Sequence, residues 1–281
     1  MILVSGATGH VGGELVTTLL DSGTPVRALT RDAVAVLPAG AERVVGDLDR
    51  PESLADALTG IDGVFLLSGY QDMPGLLAAA RTAGVQRVAL LSGASAASGD
   101  LSNAVSRYMI ESESAVRESG LAWTILRPFA FMSNAFQLAE QIRAGDVVRA
   151  AFGGVRAATI DPRDIAAVAA LALLSPGHED QVHTLTGGES LLPAERVSIL
   201  GDVLDRRLVF EAQSDDEARA EMSAAMPARY VDAFVNFYVD GALDESPVLP
   251  TVRELLGRPP RTFRDWAVEH ADRFRGARMV E

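Results

Sequence analysis

An apolar run from Ile2 to Ser5 leads directly into Gly6-Ala7-Thr8-Gly9-His10-Val11-Gly12, and a segment with helical periodicity follows. A glycine at every third position between a short strand and a helix leaves the chain few ways to fold. Gly6 permits the sharp turn, Gly9 lets another group approach the backbone, and Gly12 lets the helix lie close to the strand. The helix start then presents unpaired amides and the positive end of its dipole, an anion site that needs no basic side chain. A pyrophosphate suits such a turn. Gly6, Thr8, Gly9, His10, Val11 and Gly12 are therefore the expected cradle of a dinucleotide.

The rest of the first half alternates short β-type runs with helical ones. Strands are expected at Ile2 to Ser5, Pro25 to Thr30, Glu42 to Val45, Gly63 to Leu67, Arg87 to Leu91 and Trp123 to Leu126, with helices near 12–21, 52–58, 73–83 and 103–118. This order makes a parallel sheet with right-handed crossovers. After Pro128 the alternation fades, and Pro162, Pro176, Pro193, Pro227 and Pro259-Pro260 punctuate a mixture of helix, short strand and loop. The expected fold is α/β, a Rossmann-type doubly wound parallel sheet over residues 1–155 with a smaller mixed substrate lobe over 156–281. A strand near 182–186 can return to the main sheet. Asp164 is expected as the cap of a buried helix, and the spacing of Tyr230, Phe234, Phe237 and Tyr238 suits a core face or the wall of a substrate cleft.

Composition removes several kinds of chemistry. There is no cysteine among the 281 residues, so disulfides, thiolate metal sites and a cysteine nucleophile are excluded. The four histidines are scattered, and no metal site is expected. A formal charge of −13 argues against a nucleic-acid surface. Apolar runs such as Ile165 to Leu174 are shorter than the roughly 20 residues of a membrane helix. With the first strand starting at Ile2 there is no room for a leader before the fold, and a soluble, cytoplasmic protein is expected. All 25 basic residues are arginine.

Nicotinamide dinucleotides are told apart where the second strand ends: a carboxylate takes the ribose hydroxyls of NAD, and an arginine takes the 2′-phosphate of NADP. Arg31-Asp32 offers both. Arg31 closes the strand directly, which favours NADP(H), with NAD(H) still open. Asp47 and Leu48, after the third strand, would border the adenine, although Asp47 can equally cap the turn that follows.

Together these stretches resemble the atypical short-chain dehydrogenase/reductase group that includes NmrA-like proteins and NAD(P)H:quinone oxidoreductases. The resemblance rests on Val4 to Gly12, Val26 to Asp32, Gly46-Asp47-Leu48, Ser119 to Pro128, Phe131-Met132-Ser133-Asn134 and Pro260 to Ala267. It implies a bound dinucleotide, and it covers both enzymes and non-enzymatic sensors. Most short-chain dehydrogenases use a tyrosine followed four positions later by a lysine, which lowers the phenol's pKa. A chain without lysine has no such pair. Aligning the helix on Ser119-Gly120 puts Val105 and Met109 at those two places, with Tyr108 adjacent.

Hydride transfer to a quinone-like or aromatic acceptor remains open, because an activated acceptor needs little beyond positioning and a proton. By topology the nicotinamide lies past the carboxyl ends of strands four to six, which nominates Leu67, Ser68, Gly69 and Tyr70, then Ser92 and Gly93, then Pro128 and Phe129. Tyr70, Ser92 and Tyr108 are the candidate catalytic hydroxyls; Tyr70, Phe131 and Met132 are the candidate substrate contacts, core packing being the other use of the Phe and Met side chains. The expectation is an NAD(P)H-dependent reductase of a small molecule, monomeric or homodimeric. The alternatives are a redox-sensing module without turnover, or a Rossmann pocket redeployed for cyclase, isomerase or dehydratase chemistry.

Overall fold

The structure is a computed structural model that describes residues 1–275. The chain divides into two compact units. The first comprises Met1–Ser102, Ser106–Pro128 and Pro162–Leu185; the second comprises Asn103–Val105, Phe129–Asp161 and the chain from Thr186 onward.

In the first unit the elements run β1 (Ile2–Val4), α1 (His10–Asp21), β2 (Val26–Thr30), β3 (Glu42–Val45), α2 (Ala55–Leu58), β4 (Gly63–Leu67), α3 (Met73–Thr82), β5 (Arg87–Leu91), α4 (Ala104–Glu118, entered from the second unit), β6 (Ala122–Pro128), α5 (Pro162–Leu174) and β7 (Gln181–Leu185). The seven strands form one parallel sheet in the order β3-β2-β1-β4-β5-β6-β7. The order reverses between β1 and β4, the switch point past whose carboxyl ends open sheets of this kind receive their ligands.

The inner strands are apolar throughout because both faces are covered. Leu3, Leu29, Val64, Leu66, Val88, Leu90 and Ile125 point to one side, into a core completed by Leu54 and Leu58 and by Met73, Leu76, Leu77 and Val116. The alternate residues Val4, Ala28, Phe65 and Ala89 are buried on the other side, where α1 packs on α5. α5 is rich in alanine, so this contact is made by small side chains.

The boundaries shifted where local chemistry intervened. The segment expected as a helix over 52–58 is a 3-10 turn, Pro51–Leu54, followed by the short α2. The return strand is β7, which begins earlier than expected, at Gln181, and pairs in parallel with β6. Pro162 starts α5, as its fixed φ and missing N–H allow, so Asp164 lies in the first turn rather than at the cap.

The second unit carries a two-stranded parallel pairing, Val147–Ala150 with Val209–Ala212, that the fading alternation after Pro128 had hidden. Its core gathers Met132, Ile142, Val148, Val197, Leu200, Phe263, Trp266 and Phe274. Among the described residues no helix is long and apolar enough to cross a membrane, and no cluster of three or more metal-ligating side chains occurs.

Candidate functional site

The turn after β1 is built as the glycine spacing requires. Gly6 has φ +61°, a left-handed conformation that side chains disfavour. Its carbonyl accepts the Gly9 amide at 2.8 Å, which closes the turn. A Cβ on Gly12 would stand 2.2 Å from that same carbonyl oxygen, so the first turn of α1 reaches β1 only because residue 12 has no side chain. Gly9 caps α1 with extended backbone, without a side-chain hydrogen bond and without an acidic residue in the first turn. Thr8, Gly9 and His10 are exposed, while Val11 and Gly12 are buried and can offer only backbone. This is a preorganised anion site of the kind that takes a phosphate group, and the pyrophosphate of a dinucleotide fits its chemistry.

At the end of β2 the two charged candidates separate. Asp32 is occupied locally: its carboxylate accepts the Val34 amide at 2.9 Å, and its own amide donates to the Thr30 hydroxyl at 3.0 Å. Arg31 is exposed and, among the described residues, makes no hydrogen bond or ion pair. Asp47 also turns inward on its own loop, accepting the Asp49 amide at 3.1 Å, and Leu48 is buried in the core beside α2 and α3.

Tyr70 was expected at the reacting end, but it packs against that same α2/α3 core. Burial raises its pKa, with Ser5 and Arg31 opposing and Asp49 and Asp47 reinforcing the rise. Those neighbours stand at the ends of β1, β2 and β3, so the phenol belongs to the half of the sheet where Arg31 lies. The neighbouring loop is tied down by the Gln71 amide, which donates to Asp49 at 2.9 Å.

At the ends of β4 and β5, hydroxyls and backbone are largely engaged. Ser68 donates its hydroxyl to the Leu91 carbonyl at 2.9 Å, and the Gly69 amide donates to the Ser112 hydroxyl at 2.9 Å. Leu67 lies over Gly6, with its Cδ1 2.9 Å from where a Cβ would be. Two residues of α4 cover the strand ends: the Tyr108 ring lies 3.2 Å from a Cβ built on Gly69, and the Met109 thioether lies 2.8 Å from one built on Gly93. The Ser95 hydroxyl reaches the Met109 sulfur at 3.5 Å. Val105, at the place of the usual tyrosine, is buried.

Ser92 is not a free hydroxyl. It donates to Glu113 at 2.7 Å, and Glu113, only 1% exposed, also accepts from Arg127 at 2.6 and 2.8 Å and from Arg117 at 2.9 Å. Burial alone would raise the Glu113 pKa, but the hydrogen bonds from Arg127 and Ser92 and the Arg127 charge outweigh it and hold the carboxyl low. This network was missed because Glu113 lies between Glu111 and Arg117 in a helix whose sequence reads as a solvated face.

In the second unit, Phe129 and Met132 are buried. Met132 is a core residue there, its amide donating to the Ile160 carbonyl at 2.9 Å, so packing is the use the structure gives it. Phe131 is half-buried and bridges to Ile160. Pro128 ends β6, paired with Leu185.

The fold matches solved structures of enzymes. The NADPH-dependent quinone oxidoreductase of Escherichia coli superposes with a TM-score of 0.76 at 23% identity, over 96% of this chain and 99% of that one. The triphenylmethane reductase of Citrobacter sp. gives 0.78 at 24% identity, over 96% and 98%. Sequence relatives are nearer. The (4-alkanoyl-5-oxo-2,5-dihydrofuran-3-yl)methyl phosphate reductase of Streptomyces griseus subsp. griseus is 42% identical over 98% of this chain and 99% of its own length. The NAD(P)H azoreductase of Xenophilus azovorans is 37% identical over 99% of this chain and 100% of its own. Residues 6–176, which begin at the first glycine of the turn, match the family model described as NAD(P)H-binding. The chain therefore belongs to the NAD(P)H-binding family, in agreement with its resemblance to the NmrA-like, atypical short-chain dehydrogenases/reductases.

Proposed function

We propose that this protein is an NADP(H)-dependent oxidoreductase that reduces a small, electron-poor conjugated acceptor, quinone-like or aromatic, without a Tyr/Lys pair. The observation that carries the reading is the junction of the uncapped glycine turn with an exposed, unpaired Arg31. The relatives support the chemistry: one is named for an azo acceptor, the other for a lactone whose double bond is conjugated to carbonyl groups. Each offers a polarised π-bond that accepts hydride readily.

In this reading Gly6, Thr8, Gly9, His10, Val11 and Gly12 hold the pyrophosphate, chiefly by backbone amides, and Arg31 holds the 2′-phosphate. Asp47, Leu48 and Tyr70 border the adenosine half. Leu67, Ser68, Gly69, Ser92, Gly93, Pro128 and Phe129 shape the nicotinamide end, and Phe131 contacts the acceptor. When bound, the reduced nicotinamide supplies the hydride. Ser92 positions the end of β5 through Glu113 and gives up no proton. Tyr108, whose ring lies on Gly69 at the end of β4, is the proton donor; Met109 beside it excludes water and donates nothing. The same reading takes the protein as cytoplasmic and monomeric or homodimeric, with no nucleic-acid partner, as the charge of −13 favours.

Separate titrations with NADPH and NADH, followed by loss of the reduced-nicotinamide absorbance with quinones and azo compounds, test it. Tight NADPH binding with turnover of at least one such acceptor is the expected result. Tight binding without oxidation by any of them would transfer the assignment to a redox sensor or a redeployed pocket, and millimolar binding of both dinucleotides would remove it.

A further inference from the structure

Two side chains of α4, one turn apart, hold the backbone of Gly69 where the chain leaves β4. The Tyr108 ring presents an edge, with Cδ2, Cε2 and Cγ at 3.2, 3.6 and 3.7 Å from a Cβ built on the glycine. Ser112, 2% exposed, accepts the Gly69 amide on its hydroxyl oxygen at 2.9 Å and donates its proton to the Tyr108 carbonyl at 2.7 Å. Residues four apart share a helix face, so ring and hydroxyl meet the same glycine.

Gly69 needs such a hold. It has φ +99° and is itself exposed, so burial does little to fix a residue whose backbone is freer than any other. Ser68 before it is fastened to β5, its amide at 3.1 Å and its hydroxyl at 2.9 Å both donating to the Leu91 carbonyl. Gln71 after it is fastened to Asp49. Between these anchors the glycine depends on α4. Serine serves there for a chemical reason: a hydroxyl has one proton and two lone pairs, and the back-bond to the carbonyl four residues earlier spends the proton and leaves a lone pair for the amide. The needs of the helix explain only the first bond; the second reaches 43 residues back in the chain.

We propose that Ser112 is a positioning residue for Tyr108. By holding the Gly69 amide it keeps the end of β4 against the tyrosine ring, so that the phenol and the strand end move as one body. It touches neither dinucleotide nor acceptor and acts only through Tyr108. The phenol's part as proton donor rests on the reductase reading; the placement of its ring by Ser112 does not.

Protein labelled with fluorotyrosine carries four reporters, and the resonance absent from Tyr108→Phe follows Tyr108 by fluorine NMR without any turnover. Ser112→Ala is expected to shift or split that resonance and leave the Tyr70 resonance in place, and Ser112→Thr, which keeps the hydroxyl, to restore it. In steady-state kinetics with a quinone, Ser112→Ala should lower kcat about tenfold, on the scale that a sub-ångström displacement of a reacting group costs. In the Tyr108→Phe background it should lower kcat no further. A Tyr108 resonance indifferent to Ser112→Ala, a Tyr70 resonance that moves with it, or equal kcat losses with and without the phenol would overturn the proposal, the last because a general loosening acts whether or not the phenol is present. A wild-type protein that oxidises NADPH with no acceptor would count against the reductase, and the NMR comparison would still decide whether Ser112 places the ring.

Discussion

The Ser92 hydroxyl donates to the Glu113 carboxylate at 2.7 Å, and through it the end of β5 is fastened to Arg127 on β6. A serine that sequence position marks as catalytic is thereby committed to structure. Removing one partner of a buried charged network strands the others, so Glu113→Gln should cost about 3 kcal/mol, or a fall in Tm of about 5 °C for a chain of this size. The pH dependence has a definite sign. The carboxyl is held below its ordinary 4.5 in the folded protein, so its contribution is complete above that value and lost as pH falls through the folded pKa. Thermal melts from pH 7 down to pH 3 should show a shallower acid loss for Glu113→Gln than for the wild type. Parallel curves would mean that Glu113 does not contribute in this way.

Arg31 and Asp32 are neighbours in sequence with opposite fates in the fold. Asp32 spends its carboxylate on the Val34 amide, whereas Arg31 is exposed and unpaired among the described residues. Arg31→Ala should therefore weaken NADPH by about tenfold to a hundredfold, the range for a hydrogen bond to a charged group, and leave NADH nearly unchanged. Dissociation constants for both dinucleotides check this. An equal loss for the two would detach Arg31 from the 2′-phosphate.

The sheet was legible because its signals are local: apolar runs bounded by glycine and proline, each long enough for one strand. The glycine turn was legible because only glycine satisfies both the φ of residue 6 and the approach of residue 12 to its carbonyl. What failed to show depends on contacts far apart in sequence. Glu113 looks like any helix surface charge until Arg127 and Ser92 are placed around it. Tyr70 follows the end of β4, where topology locates it, and its side chain packs against the α2/α3 core.

Adjacent glycines in α1 allow a controlled comparison. A Cβ at Gly12 would stand 2.2 Å from the Gly6 carbonyl, whereas one at Gly13 would stand 3.4 Å from the Ala7 carbonyl, an ordinary contact. Gly12→Ala should push α1 off β1, costing about 1–3 kcal/mol or more and weakening dinucleotide binding. Gly13→Ala should be neutral or stabilising by up to about 1 kcal/mol, since alanine favours a helix interior. Tm and NADPH affinity for the pair test the close approach; similar behaviour of the two variants would show that it does not constrain binding.

In the proposed reading Tyr108 is the phenol left at the reacting end, since Ser92 is tied to Glu113 and Tyr70 packs against the α2/α3 core. Its ring rests on Gly69, whose amide is held by Ser112, and Ser112 in turn donates to the Tyr108 carbonyl at 2.7 Å. The ring and the strand end it covers are thus positioned together. If Tyr108 supplies the proton that follows hydride, Tyr108→Phe should lower kcat about a hundredfold, the scale of general acid catalysis, with NADPH affinity preserved because the ring remains. The loss should be largest for acceptors whose reduced form holds its proton most tightly, and smallest for those that leave as stable anions. A fall in kcat of less than about threefold across a series of quinones would assign the proton to water and leave Tyr108 as packing for the end of β4.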